Sequence, residues 1–423
     1  MIKEWFVRSE INKLESVFWN TVGAGLSAIQ AAIILVFISR IYGLRTAGIL
    51  TISYAVANVI MTAAKYGIRS FQVTDINREY GFGDYFFLRI ITVCLGLIFG
   101  LCFSYFNGLT GSYDHLKAVL VFEVTCLKLV DALEDVYLGE YQQAGHFITG
   151  AKMMAVRQIA VTVTICAGLT LKGSVPIVFA FGTMLSFLLL SVLIRMVNGE
   201  LGQNAALSFD FSRVKMLSGA CFPLFIGTTL AIYVGNIPKY AIDMYSTEEV
   251  QAVFGYLMLP VFIVTLASQF IYLPFIRDFG EQWEKGEFKS FLRRIMKQCV
   301  YIVIVTLVVL FAGNCFGLKL ISVIYGTDLT VYTKEFDTLL LGGSLYTFTF
   351  FLTVPLTAMR RQRVVEAGFI IASAAALIIQ KYAVISGGMA GAAILYLVIN
   401  FLALLIFGSG IIMGIKAEIS HIP

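Results

Sequence analysis

The chain has 423 residues, of which 59% are hydrophobic and only 13% are charged, with a formal net charge of +5 at pH 7. Soluble domains carry about 25% charged residues, so this composition excludes an ordinary soluble protein and predicts an all-α, polytopic membrane protein. Its apolar runs of about 20 residues exclude a transmembrane β-barrel, and its dispersed basic residues exclude a nucleic-acid partner.

The first predicted element is an amphipathic helix over residues 1–15. Apolar residues such as Trp5 and Leu14 alternate there with basic residues such as Lys3 and Arg8. This pattern predicts an interfacial helix on the cytoplasmic surface. The segment is too charged for the apolar core of a signal peptide, so we expect no cleavable signal.

Apolar segments of membrane-spanning length then follow one another along the chain, and we count about twelve of them. The loops between them are short, and the longest, at 196–214 and 313–334, have about 20 residues. The predicted spans are 16–38, 46–68, 84–106, 115–139, 149–171, 174–197, 215–238, 250–276, 291–312, 335–358, 365–385 and 389–414.

The distribution of basic residues predicts the orientation of the spans. With the N-terminus inside, the cytoplasmic segments hold about 19 of the 31 Lys and Arg residues, which places both termini in the cytoplasm. A weak repeat, in which spans two and eight begin alike, predicts two six-helix lobes with parallel topology. We assign the N-lobe to residues 16–205 and the C-lobe to residues 206–423.

The fourth span is unusual because it carries Glu123, Lys128, Asp131, Glu134 and Asp135. On a helix these five side chains fall within an arc of roughly 140°. Each charge costs about 2.5–3.5 kcal/mol at a bilayer centre, whereas each Leu or Val contributes only about 0.3–0.6 kcal/mol. We therefore expect neighbouring helices or a wet cavity to cover this arc.

Further polar side chains in the first lobe suit such a cavity. They are Asn20 and Gln30 in span one, Lys65 and Arg69 at the end of span two, Asp75 just after it, and Arg157 in span five. One interpretation is a cationic cavity for a phosphate-bearing substrate, with Lys65, Arg69, Lys128 and Arg157 as its bases. The other is a closed salt-bridge network that locks the lobe, and one network can do both.

The second lobe has almost no charge at membrane depth. Lys239 lies at the outer end of span seven, and Gln269 is a lone amide in span eight, where an interhelical hydrogen bond is the usual role. We group both with Asn20, Gln30 and Asp75 as gate or polar-lining residues.

The sequence contains none of the motifs of a catalytic or metal site. The seven cysteines lack CxxC spacing and the three histidines are scattered. We interpret the cysteines as small buried hydrophobes and predict no disulfide and no metal ion. There is no phosphate-binding loop, zinc-protease motif or nucleophile elbow, so we predict no cofactor and no enzymatic activity.

Several short motifs, in order, resemble the Wzx-like polysaccharide flippases of the MATE-like exporter superfamily. In the first lobe they are Trp19-Asn20-Thr21-Val22-Gly23, Ser39-Arg40-Ile41-Tyr42-Gly43, Ala47-Gly48-Ile49 and the run from Tyr66 to Asp75; in the second they are Asn236 to Asp243 and Ala252 to Tyr256. Of the four cavity bases, only Arg69 lies within such a motif.

The resemblance implies a V-shaped, two-lobed transporter of twelve helices that works by alternating access in a bacterial cytoplasmic membrane. Its implied cargo is an undecaprenyl-pyrophosphate-linked oligosaccharide repeat unit, moved from the inner to the outer leaflet for lipopolysaccharide or another surface polysaccharide. The implied partners are this lipid-linked substrate, membrane lipid, and a polysaccharide polymerase or glycosyltransferase.

Two other function classes stay open. An ion-coupled multidrug antiporter of the same superfamily needs an acidic cavity, and such relatives place acids in span one or in the second lobe. Here the acids lie in span four, so Glu123, Asp131, Glu134 and Asp135 are the candidates for ion coupling or for framing the bases. A membrane enzyme, such as a polysaccharide polymerase or acyltransferase, needs a catalytic set in an outer loop, and none stands out.

Overall fold

The computed structural model describes residues 6, 13–75, 77–201, 210–272 and 275–420. Most of the predicted interfacial helix over 1–15 therefore lies outside the described residues. Of the part before residue 13, only Phe6 is described, and its ring is buried against Tyr141, Met153, Leu193 and Val197.

Helices account for nearly all of the described residues. In chain order they are α1 (Lys13–Lys65), α2 (Ile68–Thr74), α3 (Phe82–Leu109), α4 (His115–Gln143), α5 (Phe147–Thr170), α6 (Val175–Leu201), α7 (Phe211–Tyr245), α8 (Glu248–Tyr272), α9 (Ile276–Glu284), α10 (Phe288–Ala312), α11 (Leu318–Tyr325), α12 (Thr333–Ala358) and α13 (Gln362–Ser420). A π-helical turn, Gly313–Gly317, joins α10 to α11, and a 3-10 turn, Thr330–Tyr332, precedes α12.

The helices agree with the predicted twelve spans. Within the described ranges, nine helical stretches are long and apolar enough to cross a membrane. Two of them, α1 and α13, count twice, because each bends at a glycine with positive φ, Gly43 at 85° and Gly388 at 54°. The twelfth is α4, which is long enough to cross a membrane but carries too many charged side chains to be counted as an apolar span. The chain is thus a multi-pass, all-helical membrane protein.

The predicted outer loop at 313–334 is wrong over its first part. The chain stays helical from α10 through the π-helical turn and α11 to Tyr325. Tyr325 is buried and stacks on Tyr256, with ring centroids 4.0 Å apart. This packing holds the extra turns in place.

Contacts divide the chain into two compact units, Met1–Thr229 and Leu230–Pro423. The division falls inside α7, whose first half packs in the first unit. There Val214, Leu217 and Cys221 form one apolar cluster with residues of α2, α3 and α4. The lobe boundary at 205/206 stays a prediction.

In the first unit α4 is the central helix. It packs against α1, α2, α3, α5 and α6. The charged face of α4 is therefore covered by its neighbours.

In the second unit α12 contacts α8, α10 and α13, and hydroxyl pairs such as Thr265 with Thr347 join the helices.

The cysteines are only partly as predicted. All seven are free thiols, but Cys94, Cys102 and Cys315 are exposed. Cys94 and Cys102 lie on α3 beside exposed apolar residues such as Leu95 and Leu101, so this face of α3 points outward. The interpretation as buried hydrophobes is wrong for these three, because composition alone does not indicate which helix face turns inward.

Candidate functional site

The first of two charge clusters in the first unit is centred on Arg157 of α5. Its guanidinium contacts two carboxylates of α4, with Nη2 2.6 Å from both Asp131 Oδ1 and Glu134 Oε2, and Nε 3.0 Å from Glu134 Oε1. Its third nitrogen, Nη1, donates to Ser186 Oγ at 2.6 Å. The spacing of Asp131 and Glu134, three residues apart, puts both on the face of α4 that meets α5.

Polar side chains from three helices extend this cluster. Lys128 Nζ lies 2.9 Å from Asp131 Oδ2 and 3.3 Å from Gln30 Oε1. Gln158 donates to Asp131 at 3.1 Å, and Gln30 donates to Thr162 at 3.1 Å. Two bases thus face two acids, and all four charged side chains are buried. This first cluster is electrically balanced.

The second cluster is centred on Asp135, one residue further along α4. Arg89 of α3 lies 2.8 Å from its carboxylate, Arg69 of α2 lies 3.6 Å away, and Lys65 at the end of α1 lies 4.0 Å away. One carboxylate therefore faces three cations. Arg89 is fully buried, whereas the side chains of Lys65 and Arg69 are each 33% exposed. This second cluster has an excess of positive charge, and that excess is accessible.

A break in the helix positions the two accessible cations. Tyr66 and Gly67 both adopt left-handed backbone conformations, with φ of 53° and 69°, and separate α1 from α2. The chain turns there, so that Lys65 and Arg69 both approach Asp135. The ring of Tyr66 stacks on Phe225 with centroids 4.7 Å apart, which anchors the turn to α7.

Replacing Gly67 with alanine is expected to destabilise the protein by about 2–5 kcal/mol. A left-handed conformation costs a non-glycine residue about 1–2 kcal/mol, and overpacking adds about 1–3 kcal/mol. The new Cβ would lie 2.5 Å from Leu224 Cβ. Thermal unfolding in detergent measures the loss. Gly219→Ala on α7 is the matched control, because a Cβ there meets nothing within 4 Å; an equal loss in both variants contradicts this account.

Arg89 is the member of the site that sequence reasoning missed. It lies in the apolar span of α3, where Nη1 also donates to the backbone oxygen of Ala64 at 2.9 Å. The signal was present in the sequence, because a single arginine inside an apolar span needs a partner for the same energetic reason as the charges of α4.

Asp75 lies in the loop after α2, and its side chain forms hydrogen bonds that hold this loop in place. Its carboxylate accepts hydrogen bonds from the backbone N–H groups of Glu79 (2.9 Å) and Tyr80 (3.1 Å) and from the hydroxyl of Tyr85 (2.8 Å). Partial burial alone would raise the pKa of Asp75, but these hydrogen bonds outweigh it and lower the pKa.

Asp75→Ala is expected to cost about 2–3 kcal/mol of stability at pH 7, because hydrogen bonds to a charged acceptor are lost. Asp75→Asn keeps one acceptor oxygen and should cost less. Since the folded-state pKa lies below the unfolded value of about 3.9, the carboxylate stabilises the protein above that pH and the contribution is lost as pH falls through the folded-state pKa. Unfolding curves at pH 7 and near pH 3 test this; a penalty that persists unchanged at low pH contradicts it.

Other predicted site residues lie apart from the two clusters. Glu123 is half-buried on α4 and has no ion pair or hydrogen bond to the described residues. Asn20 belongs to α1, and its side chain lies outside the described part of the structure. In the second unit, Lys239 donates to Asn236 Oδ1 at 3.2 Å, and Gln269 is half-buried without a described hydrogen bond.

No family model and no curated protein matches the sequence. Solved structures do match. One is an inward-facing multidrug resistance MATE family transporter of the MOP superfamily, with 12% identity and a TM-score of 0.70 over 96% of this chain and 100% of that one. Another is the lipid II flippase MurJ in an inward closed conformation, with 12% identity and a TM-score of 0.71 over 94% and 89% of the two chains. The Vibrio cholerae MATE transporter VcmN matches with 11% identity and a TM-score of 0.63 over 97% and 98%.

These likenesses confirm the predicted MATE-like fold. They extend over nearly the whole of each chain, so the helices of this protein follow one another in the same order as in those structures.

Proposed function

From this fold, shared with drug transporters and with a lipid flippase, we propose that the protein is a flippase. Its cargo would be an undecaprenyl-pyrophosphate-linked oligosaccharide repeat unit, moved from the inner to the outer leaflet of a bacterial cytoplasmic membrane by alternating access. The product would serve surface polysaccharide synthesis, together with glycosyltransferases and a polymerase. Both termini would lie in the cytoplasm, as the distribution of basic residues predicts.

The observation that carries this proposal is the unequal charge of the second cluster. Asp135 faces three cations, and Lys65 and Arg69 remain partly exposed. A pyrophosphate presents several anionic oxygens, and arginine and lysine form charge-assisted hydrogen bonds with them. The cluster thus offers a preformed binding site for the diphosphate, while Asp135 keeps the cations in place when no substrate is bound.

The first cluster supports this binding site in a different way. Lys128 and Arg157 are buried and saturated by Asp131, Glu134 and neighbouring polar groups. A substrate would have to displace these contacts in order to reach either base. Lys65 and Arg69 are therefore the bases that we propose meet substrate first, with Lys128 and Arg157 framing the lobe.

Organic-cation antiport is the second candidate, because the similar solved structures include multidrug resistance and other MATE transporters. It requires a carboxylate that is available to a cationic drug. Asp131, Glu134 and Asp135 are all paired with bases of this chain, which leaves Glu123 as the one candidate acid unpaired in the described part of the structure, and the accessible charge of the second cluster is positive. The sign of this charge favours the anionic cargo.

Glu123 is the acid best placed to take up a coupling ion. Of the four predicted acids of this helix it alone lacks a cationic partner in the described residues, since Asp131, Glu134 and Asp135 are paired, so no ion pair has to break when it binds a proton. Glu123→Gln is expected to make the export rate independent of pH. The matched control is Asp131→Asn/Glu134→Gln: if that variant removes the pH dependence while Glu123→Gln keeps it, coupling runs through the paired acids.

A deletion strain tests the proposed function in the cell. Loss of the protein is expected to cause lipid-linked repeat units to accumulate with their sugars facing the cytoplasm, and to remove the surface polysaccharide. Unchanged polysaccharide, or a new sensitivity to cationic drugs without any change in lipid-linked sugars, would support the antiporter instead.

A further inference from the structure

A pocket lined by several charged and amide side chains lies within the second unit, and none of its lining residues belongs to either charge cluster. It has a volume of about 370 Å³ and is partly enclosed by the short helix α9 and the first turns of α10. This volume falls within the range of about 300–1,000 Å³ that is typical of small-molecule sites. Nothing in the flippase mechanism uses it.

The cavity carries an excess of positive charge. Arg293, Arg294 and Lys297 line it. Arg294 pairs with Asp278 at 2.5 Å, whereas Arg293 and Lys297 are exposed and have no carboxylate partner among the described residues. Two cations are therefore available to an anion, as expected for a site that receives a phosphate.

Two amide side chains in the cavity lack partners as well. Gln298 is 3% exposed, and its Oε1 has no hydrogen-bond partner among the described residues; the Oε1 of Gln282 is also unpaired. A buried amide without a partner is costly, typically about 1–3 kcal/mol. A ligand hydroxyl or ammonium group would satisfy these oxygens, and rotation of either amide would offer its nitrogen to a phosphate oxygen.

An exposed apolar surface begins where the cavity ends. On α10, Met296, Val300, Ile304 and Leu307 are all at least 50% exposed. At 100° per residue, Val300 and Ile304 lie directly above Arg293 and Lys297 on the same side of the helix. A hydrocarbon chain attached to a group in the cavity would thus run along α10 into the membrane.

We propose that this cavity binds the phosphate headgroup of an anionic glycerophospholipid. Arg293 and Lys297 contact the phosphate, Gln282 and Gln298 contact the hydroxyl groups of the headgroup, and the acyl chains lie along the exposed face of α10. The cavity follows the eighth span, on the side that the basic residues predict to be cytoplasmic. Basic pockets at this depth are typical sites for anionic lipid headgroups. A soluble phosphate would make no use of the adjoining apolar face.

Native mass spectrometry of the full-length protein, with added phosphatidylglycerol or phosphatidylcholine, tests the proposal. We expect the wild type to retain phosphatidylglycerol in preference to phosphatidylcholine. The variant Arg293→Gln/Lys297→Gln should lose phosphatidylglycerol affinity by about tenfold to thirtyfold, since each basic residue near an anionic lipid contributes about 1 kcal/mol. The matched control is Lys285→Gln/Lys289→Gln, which removes two exposed charges nearby that do not line the cavity.

Four outcomes would overturn the proposal. They are no preference between the two lipids, an equal loss in the control variant, displacement of phosphatidylglycerol by millimolar inorganic phosphate, and displacement by an equimolar polyprenyl pyrophosphate. The last two would assign the cavity to a free phosphate or to the carrier lipid. Both variants replace exposed side chains, so a normal thermal unfolding curve confirms that each is folded.

Discussion

Replacing Lys65 and Arg69 together with glutamine is expected to reduce export by about a hundredfold or more while the protein remains folded. The two side chains are the accessible cations of the second cluster. A hydrogen bond to a charged group contributes about 1.5–3 kcal/mol, so the loss of two amounts to at least two factors of ten in substrate binding. Asp135 keeps its closest partner, Arg89 at 2.8 Å, and stays neutralised. Export is measured as surface polysaccharide in a complemented deletion strain.

The control for this variant is Arg45→Gln. Arg45 forms an exposed ion pair with Asp114, and such pairs contribute at most about 1 kcal/mol. Export by Arg45→Gln should remain near the wild-type level. Unchanged export by the Lys65/Arg69 variant, at equal protein abundance, would show that the second cluster does not meet the substrate.

The second large effect concerns stability. Replacing Arg157 with glutamine is expected to destabilise the protein by about 3–5 kcal/mol, because Glu134 would lose its only base and remain as an unpaired buried charge, while Asp131 would keep Lys128. Thermal unfolding of the purified protein and its abundance in membranes both measure the loss. With a typical domain stability of about 5–15 kcal/mol, the variant should accumulate poorly.

A second substitution that restores the charge balance distinguishes the effect of lost charge from the effect of lost packing. In Glu134→Gln/Arg157→Gln, Lys128 still pairs with Asp131 at 2.9 Å and the cluster is again balanced. The double variant should therefore be more stable than Arg157→Gln alone, with a coupling energy of about 0.5–3 kcal/mol. Additive losses would mean that the two side chains do not act as a pair.

The sequence was sufficient to predict the helical membrane fold, because long apolar runs have few alternatives in a bilayer. It was also sufficient to predict that the face of α4 carrying Asp131 and Glu134 needs cover, because buried charge is costly whatever the surrounding topology. The structure supplies that cover through the helices packed around α4. Both predictions rest on energies that a single segment determines by itself.

The sequence could not predict which acidic residue pairs with which basic residue, because these pairings depend on helix rotation and on tertiary packing. Asp131 and Asp135 are one turn apart, yet the first meets Arg157 and the second meets Arg89. The distinction between saturated and accessible bases arises from these pairings. The helical continuation to Tyr325 likewise depends on a distant stacking partner, Tyr256.

The central claim is tested most directly with purified protein in liposomes that contain a polyprenyl-pyrophosphate-linked oligosaccharide. A membrane-impermeant sugar-modifying reagent reports which leaflet holds the oligosaccharide over time. We predict that the wild type transfers the sugars between leaflets and that the Lys65→Gln/Arg69→Gln variant does so about a hundredfold more slowly, consistent with the loss of two charged contacts. Equal rates with wild type, variant and empty liposomes, accompanied by proton-driven uptake of an organic cation, would contradict the account.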